Sequence, residues 1–313
     1  MTKEPIILGI ESSCDDTSAA ILHGQKILSN IVANQQVHSL YGGVVPELAS
    51  RAHQQNIIPV VDAAIKKANI NKEDISAIAF TKGPGLLGSL LVGSSFAKSF
   101  AMGMNIPLIA VNHMQGHILS HFIDEGEPIP KFPFLCLTVS GGHTQIVRVE
   151  SASNMQVIGT TIDDAAGEAF DKSAKILGLP YPGGPHIDKH AKKGNIHTFA
   201  FGKSKIKELN FSFSGLKTSI LYKIQNNLQK NPRFIEENLE NLCASIQHSI
   251  VSILLNKLEK AIKLTGIKQL AIAGGVSANS YLRSELGKLA IDKGHQLYIP
   301  KFEYCTDNAA MIA

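Results

Sequence analysis

Two stretches restrict the fold of this 313-residue chain more than anything else in it. The first is "IILGIE" (6–11), "SSCDDTS" (12–18) and "AAILHG" (19–24): an apolar run, a polar turn cluster, then apolar character again. It reads as a hairpin over residues 6–23 with an acidic tip. The second is "FLCLTV" (134–139), "SGGHTQ" (140–145) and "IVRVE" (146–150), a strand, a Gly-rich tip and a return strand. Two such units so far apart predict a two-lobed protein in which each lobe opens with strand–turn–strand. Turns of this kind expose backbone N–H groups, which bind phosphate.

The sequence between them alternates strand and helix signals. Helical periodicity follows Pro46 in 42–70, residues 75–104 read as strand, Gly-Pro turn and helix, and "PLIAVN" (107–112) is another strand. This βαβα order predicts an α/β fold with a largely buried sheet. Further on, "TTIDDAAGEAFDKSAKILGL" (160–179) reads as a helix with Asp163, Asp164 and Glu168 in its first turn, where acidic residues suit the dipole. "PYPGGPHID" (180–188) reads as a rigid loop, 241–266 as one long amphipathic helix closed by Gly266, and 269–290 as strand, Gly-Gly turn and helix. In "CTDNAAMIA" (305–313), Thr306 or Asp307 is expected to cap a helix that has barely begun.

Composition excludes some classes. With 44% hydrophobic and 18% charged residues the chain is globular, and its net charge of +4 permits an anionic partner such as RNA without requiring one. No apolar run reaches the roughly 18 residues of a membrane span. Cys14, Cys136, Cys243 and Cys305 form no CxxC pair, and the N-terminus has no signal-peptide core, which predicts free thiols and a cytoplasmic location.

Three signals carry chemistry. "VNHMQGHILSH" (111–121) places His113, His117 and His121 four residues apart, on one face of a helix. Met114 stands where the HExxH zinc proteases need their Glu base, so a protease is excluded. Two imidazoles one turn apart can clamp a metal, given an oxygen ligand from elsewhere; the same spacing also suits a satisfied histidine pair. The outer two histidines lie about 12 Å apart along a straight helix, so His121 reads as a bystander. The second signal is the Gly-containing turns. "GPGLLGSL" (83–90) fits neither a P-loop nor G-x-G-x-x-G, but "SGGHT" and "AGGVSAN" also follow buried strands, as turns gripping a nucleotide would. The third is the acidic pairs Asp15-Asp16 and Asp163-Asp164, which suit turn and cap chemistry as well as a functional role.

Ten stretches in order, "GIESSCDDTSAAI", "YGGVVPELASRAH", "KGPGLLGSLLVG", "HMQGH", "SGGHTQ", "DDAAGEAFDK", "YPGGP", "FSFSGLKT", "AGGVSAN" and "CTDNAAMIA", together resemble the tRNA N6-adenosine threonylcarbamoyltransferase family, in its bacterial or organellar branch. The resemblance implies an actin/sugar-kinase-like (ribonuclease H-like) α/β fold with two lobes around a cleft. We expect the lobes at 1–132 and 133–313, the second carrying a helical insertion and continuing in the family past Ala313. The resemblance implies transfer of threonylcarbamoyl from threonylcarbamoyl-adenylate to N6 of adenosine 37, in tRNAs reading codons that begin with A, with AMP released. It places a metal, iron before zinc, on His113, His117 and Asp307. Adenylate contacts fall on Thr138, Val139, Ser140, Gly141, Gly142, Asp171, Gly184, Asp188 and Asn279, and the reacting groups face Asp15 and His143. The family more often has Glu where this chain has Asp16, and His121 matches none of its motifs.

The implied partners are the tRNA anticodon loop, a paralogous dimerisation partner and a small ATPase, with no membrane. The Lys-bearing stretch 202–217 is a candidate for part of the tRNA surface. The rival reading is a nucleotide-gated scaffold, or a small-molecule kinase of the same fold, to which the histidine pair would not matter.

Overall fold

The structure is a computed structural model that describes residues 4–202, 204 and 206–313. Two lysines of the 202–217 stretch, Lys203 and Lys205, lie outside the described residues. The chain divides into two compact units, Met1–Ile129 with Pro300–Ala313, and Pro130–Ile299.

In the first unit, β1 (Ile6–Glu11), β2 (Thr17–His23) and β3 (Lys26–Ala33) form an antiparallel meander, joined by β4 (Ala77–Gly83) and β5 (Leu108–Asn112) in the order β3-β2-β1-β4-β5. The first expected hairpin is therefore present, with Ile6 opposite His23 and Glu11 opposite Ser18. β1, β4 and β5 run parallel, so α1 (Pro46–Ala68) and α2 (Leu87–Met104) serve as the crossovers. The near-continuous apolar sequence of β1 follows from this central position, which has both sheet faces covered. Leu8 and Ile10 pack with Ile57 and Val60 of α1 and Ala97 and Ala101 of α2. Leu8 and Ile10, both fully buried, contribute about 1.5–3 kcal/mol each.

The opposite face is covered by the end of the chain. Ala309 and Ala310 pack with Ala20 and Leu22, and Met311 and Ile312 with Ala79. Gly9 allows the close approach, since a Cβ there would lie 2.4 Å from the Ala309 carbonyl oxygen. Pro300–Ala313 thus belongs with the first unit, whereas a boundary at 132/133 would assign it to the second. The reason is long-range packing, which no local pattern encodes.

The second unit repeats the topology. β6 (Phe134–Val139), β7 (Thr144–Val149) and β8 (Met155–Thr160) form the meander, and β9 (Gln269–Ala273) and β10 (Gln296–Tyr298) add in parallel, in the order β8-β7-β6-β9-β10. Between β8 and β9 come α4 (Ala166–Ile176), α5 (Gly183–Ala191), α6 (Ser214–Leu228) and α7 (Phe234–Thr265); α8 (Ser280–Lys293) precedes β10. Leu135, Leu137 and Val139 of β6 pack with Phe170, Phe211, Phe213 and the buried face of α7. Gly266 closes α7 in the left-handed region at φ 69°, as its sequence position predicts.

Three local expectations are corrected. Asp163 and Asp164 lie before α4 instead of in its first turn. Asp163 is drawn away because its carboxylate accepts from Phe213 N and Ser212 Oγ at the start of α6. The "rigid loop" 180–188 contains the first turns of α5, since Pro182 at the N-cap is already preorganised for a helix start. No helix forms over 306–313; the one hydrogen-bonded turn there is capped by Asn308, whose Oδ1 accepts from Met311 N, and not by Thr306 or Asp307.

Candidate functional site

In the first unit the carboxyl ends of three adjacent parallel strands supply one cluster. Glu11 ends β1, Thr81 lies near the end of β4, and His113 directly follows β5 as the first residue of α3 (His113–Leu119). Asn112 starts that helix by accepting from Met114 N and Gln115 N. One turn on, His117 faces the same way, its ring meeting that of His113 edge to face with centroids 4.8 Å apart. Asp307 arrives from the far end of the sequence. Its Oδ1 lies 3.4 Å from His113 Nε2 and 3.2 Å from His117 Nε2. The ligating atoms of the three residues all fall within 4.8 Å of one another. His121 sits on the 3-10 turn Ser120–Phe122 beyond the end of α3.

The chemistry of this donor set fits a metal ion. Two imidazole nitrogens and one carboxylate oxygen converge and leave further coordination positions open. The electrostatics point the same way. Burial opposes charge on His113, but hydrogen bonds and attraction from Asp307 and then Glu11 win and push its pKa up to about 10. Burial likewise works against a charged Asp307, yet the two imidazoles hold its carboxyl below the ordinary carboxylate range. At Asp16, burial and then repulsion from Asp15, Asp307 and Glu11 push the carboxyl up to about 7. A cation is what such a concentration of carboxylates attracts.

Asp15 and Asp16 sit on the turn between β1 and β2, which is clamped from both crossover helices. Buried His53 of α1 bonds Thr17 Oγ1 through Nδ1 at 2.7 Å and accepts no exposure at all, its Nε2 lying 3.0 Å from the Cys14 carbonyl. Ser89 of α2 donates to the same carbonyl at 2.9 Å. Burial, then Asp15 and Asp307, push the Cys14 thiol well above its ordinary value, which keeps it protonated.

In the second unit the expected contact residues gather at the end of β6 and at helix starts. Thr138 and Val139 are fully buried on the central strand, Thr138 Oγ1 bonding Cys136 Sγ at 3.7 Å and both residues pairing with β7. Ser140–His143 forms the turn, Ser140 N donating to the His143 carbonyl at 2.8 Å. Gly141 and Gly142 are exposed, and a Cβ on either would meet nothing within 4 Å. Neighbouring glycines bring the other segments against this turn. A Cβ at Gly167 would lie 2.6 Å from the Ser140 carbonyl oxygen, and one at Gly274, where φ is +87°, 2.5 Å from that of Val139.

Asp171, Asp188 and Asn279 already hold scaffold hydrogen bonds. Asp171 accepts from Gly183 N at 2.7 Å at the start of α5, and burial raises its pKa against the opposing pull of the Gly183 and Gly184 N–H groups. Asp188 accepts from Ser280 Oγ at 2.8 Å, tying α5 to the start of α8. Asn279 caps α8 through Oδ1 and donates Nδ2 to Gln247 Oε1 at 2.8 Å. Gly184 opens α5, with only Phe170 Cβ near its missing side chain, at 3.9 Å. Among the described residues, Ser277 Oγ, buried in the "AGGVSAN" turn, has no hydrogen-bond partner. Asp15 and the His–His–Asp group thus lie in the first unit, and His143 and the other contact residues in the second.

Sequence reasoning passed over Glu11, Thr81 and His53. The signal for Glu11 was present: a carboxylate closing an otherwise apolar strand, "IILGIE", must find donors. Nothing local marked Thr81 or His53.

Comparison with known proteins agrees with these features. The family model described as TsaD, tRNA N6-adenosine threonylcarbamoyltransferase, matches residues 26–313. A protein of that name from Christiangramia forsetii is 65% identical over 307 residues, covering 98% of this chain and 90% of the relative. Another, from Riemerella anatipestifer, is 64% identical over 312 residues, covering 99% and 92%. Among solved structures, full-length HypF in its phosphate- and nucleotide-bound form superposes with a TM-score of 0.64 at 14% identity, over 99% of this chain and 46% of that one. Component A of the Acidaminococcus fermentans (R)-2-hydroxyglutaryl-CoA dehydratase gives 0.54 at 16% identity, over 99% and 96%. At such identities these two show the fold alone, which is actin/sugar-kinase-like. Matched along nearly its whole length by the family model and by these relatives, the chain belongs to the tRNA N6-adenosine threonylcarbamoyltransferase family.

Proposed function

We propose that the His–His–Asp group and the Gly turn of the second unit are the working parts of the family's reaction. The chain is an acyltransferase that moves threonylcarbamoyl from threonylcarbamoyl-adenylate to N6 of adenosine 37 in tRNAs reading codons that begin with A. The observation that carries this is the relationship to proteins of that name at 65% and 64% identity across nearly the whole chain. Nothing favours a scaffold or a small-molecule kinase. The test is mass spectrometry of tRNA nucleosides after incubation with threonine, bicarbonate, ATP, an adenylate-forming enzyme, the dimerisation partner and the small ATPase. Threonylcarbamoyladenosine should appear only when this chain is added; its absence in a reaction shown to make the adenylate would sink the assignment.

In this reading His113, His117 and Asp307 hold one metal ion, iron by preference and zinc next, from the donor set. When bound, the ion supplies Lewis acidity and a template for phosphate oxygens. The exposed backbone of Gly141 and Gly142 receives the adenine nucleotide, since no side chain blocks its approach there, while the first N–H groups of α5 and α8 are already held by Asp171, Asp188 and Asn279. The family resemblance assigns Asp15, in the first unit, and His143, in the second, to the reacting groups. The amine attacks the carbonyl carbon and AMP leaves, so orientation and charge stabilisation are the main requirements.

Metal binding should be linked to pH through His113. Its folded pKa is raised to about 10, so below that pH the imidazole carries a proton that a metal must displace. Apparent affinity is therefore expected to rise about tenfold per pH unit between pH 6.5 and 8.5, with about one proton released per ion. Calorimetry in buffers of different ionisation enthalpy measures that proton. Affinity independent of pH would refute the linkage.

The partners follow from the same reading. The net charge is only +4, so this chain alone should bind tRNA weakly, through Lys and Arg contacts to phosphate. The stretch 202–217 is one candidate surface, although its Lys203 and Lys205 are outside the described residues. A paralogous dimerisation partner and a small ATPase would complete productive binding. No helix among the described residues is long and apolar enough to cross a membrane; a cytoplasmic setting belongs to the same reading, as for an enzyme that acts on tRNA. In a tRNA titration at two salt concentrations, with and without partners, tight salt-independent binding by the isolated chain would overturn this account.

A further inference from the structure

We infer that Glu11 is a positioning residue for the metal centre: it fixes the ring of His113 so that Nε2 faces the ion. This rests on the proposed metal-holding role of His113, His117 and Asp307. A carboxylate with no exposed surface, on the central strand of a sheet, is costly unless it is fully hydrogen-bonded. Glu11 has three donors. Oε1 accepts from Ser13 N, and Oε2 accepts from Thr81 Oγ1 at 2.7 Å and lies 3.0 Å from His113 Nδ1. Among the described residues it forms no ion pair with Lys or Arg; its one charged neighbour of that kind is His113.

The consequence lies at the opposite nitrogen. A carboxylate on Nδ1 requires the proton there, which leaves the Nε2 lone pair for coordination and makes it more basic. Ser13 Oγ, 3.2 Å from the same Nδ1, adds a second acceptor. Thr81 holds the carboxylate in place from the neighbouring strand β4, whose register sets Phe80 beside Ile10. His117 differs: among the described residues its buried Nδ1 has no hydrogen-bond partner. The two histidines are therefore unequal: His113 is locked from behind at Nδ1, and His117 is not.

Glu11→Gln reverses the preference. An amide N–H placed at the Oε2 position would oppose Nδ1–H, so the ring would move its proton to Nε2 or turn away; with the amide reversed, it would oppose Ser13 N instead. The experiment uses the full chain with Zn(II), titrated against a chromogenic chelator, in wild type, Glu11→Gln, Glu11→Asp and the His113→Ala, His117→Ala double variant. Glu11→Asp keeps the charge but shortens the reach, and serves if Glu11→Gln fails to fold. The expected result is Zn(II) affinity about 10–100-fold weaker in the folded Glu11 variants, with a changed visible spectrum when Co(II) replaces zinc. Cooperative thermal unfolding establishes that a variant is folded, and a merely structural role would leave the Co(II) spectrum unmoved. Wild-type affinity and spectrum in a folded Glu11 variant would overturn the inference alone. Wild type binding Zn(II) no better than the double-histidine variant would overturn the metal centre and this inference with it.

Discussion

Replacing His113 and His117 together by Ala is expected to remove stoichiometric metal and to lower threonylcarbamoyl transfer by about 10²–10³-fold, the scale seen when a main electrostatic stabiliser is lost. Both rings converge on one oxygen of Asp307, so removing them takes two of the three donors and leaves a partly buried carboxylate that repels Asp16 uncompensated. That repulsion would cost stability too, so the melting temperature must be read beside the activity. Metal analysis of purified protein and nucleoside mass spectrometry give the two readouts. A folded double variant with wild-type activity would sink the metal-dependent mechanism and revive the scaffold or kinase reading.

The second large effect is expected at Gly141. A Val side chain there meets no protein atom at its Cβ, so the fold should hold, but the side chain would occupy the space a nucleotide needs to reach the Ser140–Gly142 backbone. Affinity for an adenine nucleotide should drop at least about 100-fold, as expected when charge-assisted hydrogen bonds are blocked. Gly184→Val tests the start of α5, where the nearest atom to a Cβ is 3.9 Å away. Calorimetric titration of both variants decides. Unchanged affinity in both would mean that these turns do not receive the nucleotide. Glycines 167 and 274 are poor choices for such a test, because a Cβ at either collides with backbone of the turn itself.

Much of the fold was legible because its determinants are local. The two hairpins announce themselves by apolar runs around polar tips, and β4, α2 and β5 by strand, Gly-Pro turn and helix signals in order. The HxxxH spacing places His113 and His117 on one helical face, and helix geometry alone sets His121 apart. Where a competing partner lay far along the chain, local reasoning failed. Asp163 looked like a helix N-terminal acid but is claimed by residues 212 and 213. Asp307 looked like a cap but stands in irregular backbone, facing two histidines.

The sequence by itself determined many of the strands and helices, the repeated strand–turn–strand design, the pairing of two imidazoles and the family, since each is written in residues close together or in motifs read in order. Tertiary structure alone decided that the last fourteen residues, Pro300–Ala313, close the first unit, and so bring Asp307 to His113 and His117 across 190 positions of chain. It alone decided that Glu11, Thr81 and His113 meet, because they share nothing but the carboxyl ends of adjacent parallel strands. The physical reason is the same in both cases. Side chains far apart in sequence are brought together by burial of the sheet faces between them, and that burial depends on the whole packed core, not on any one segment.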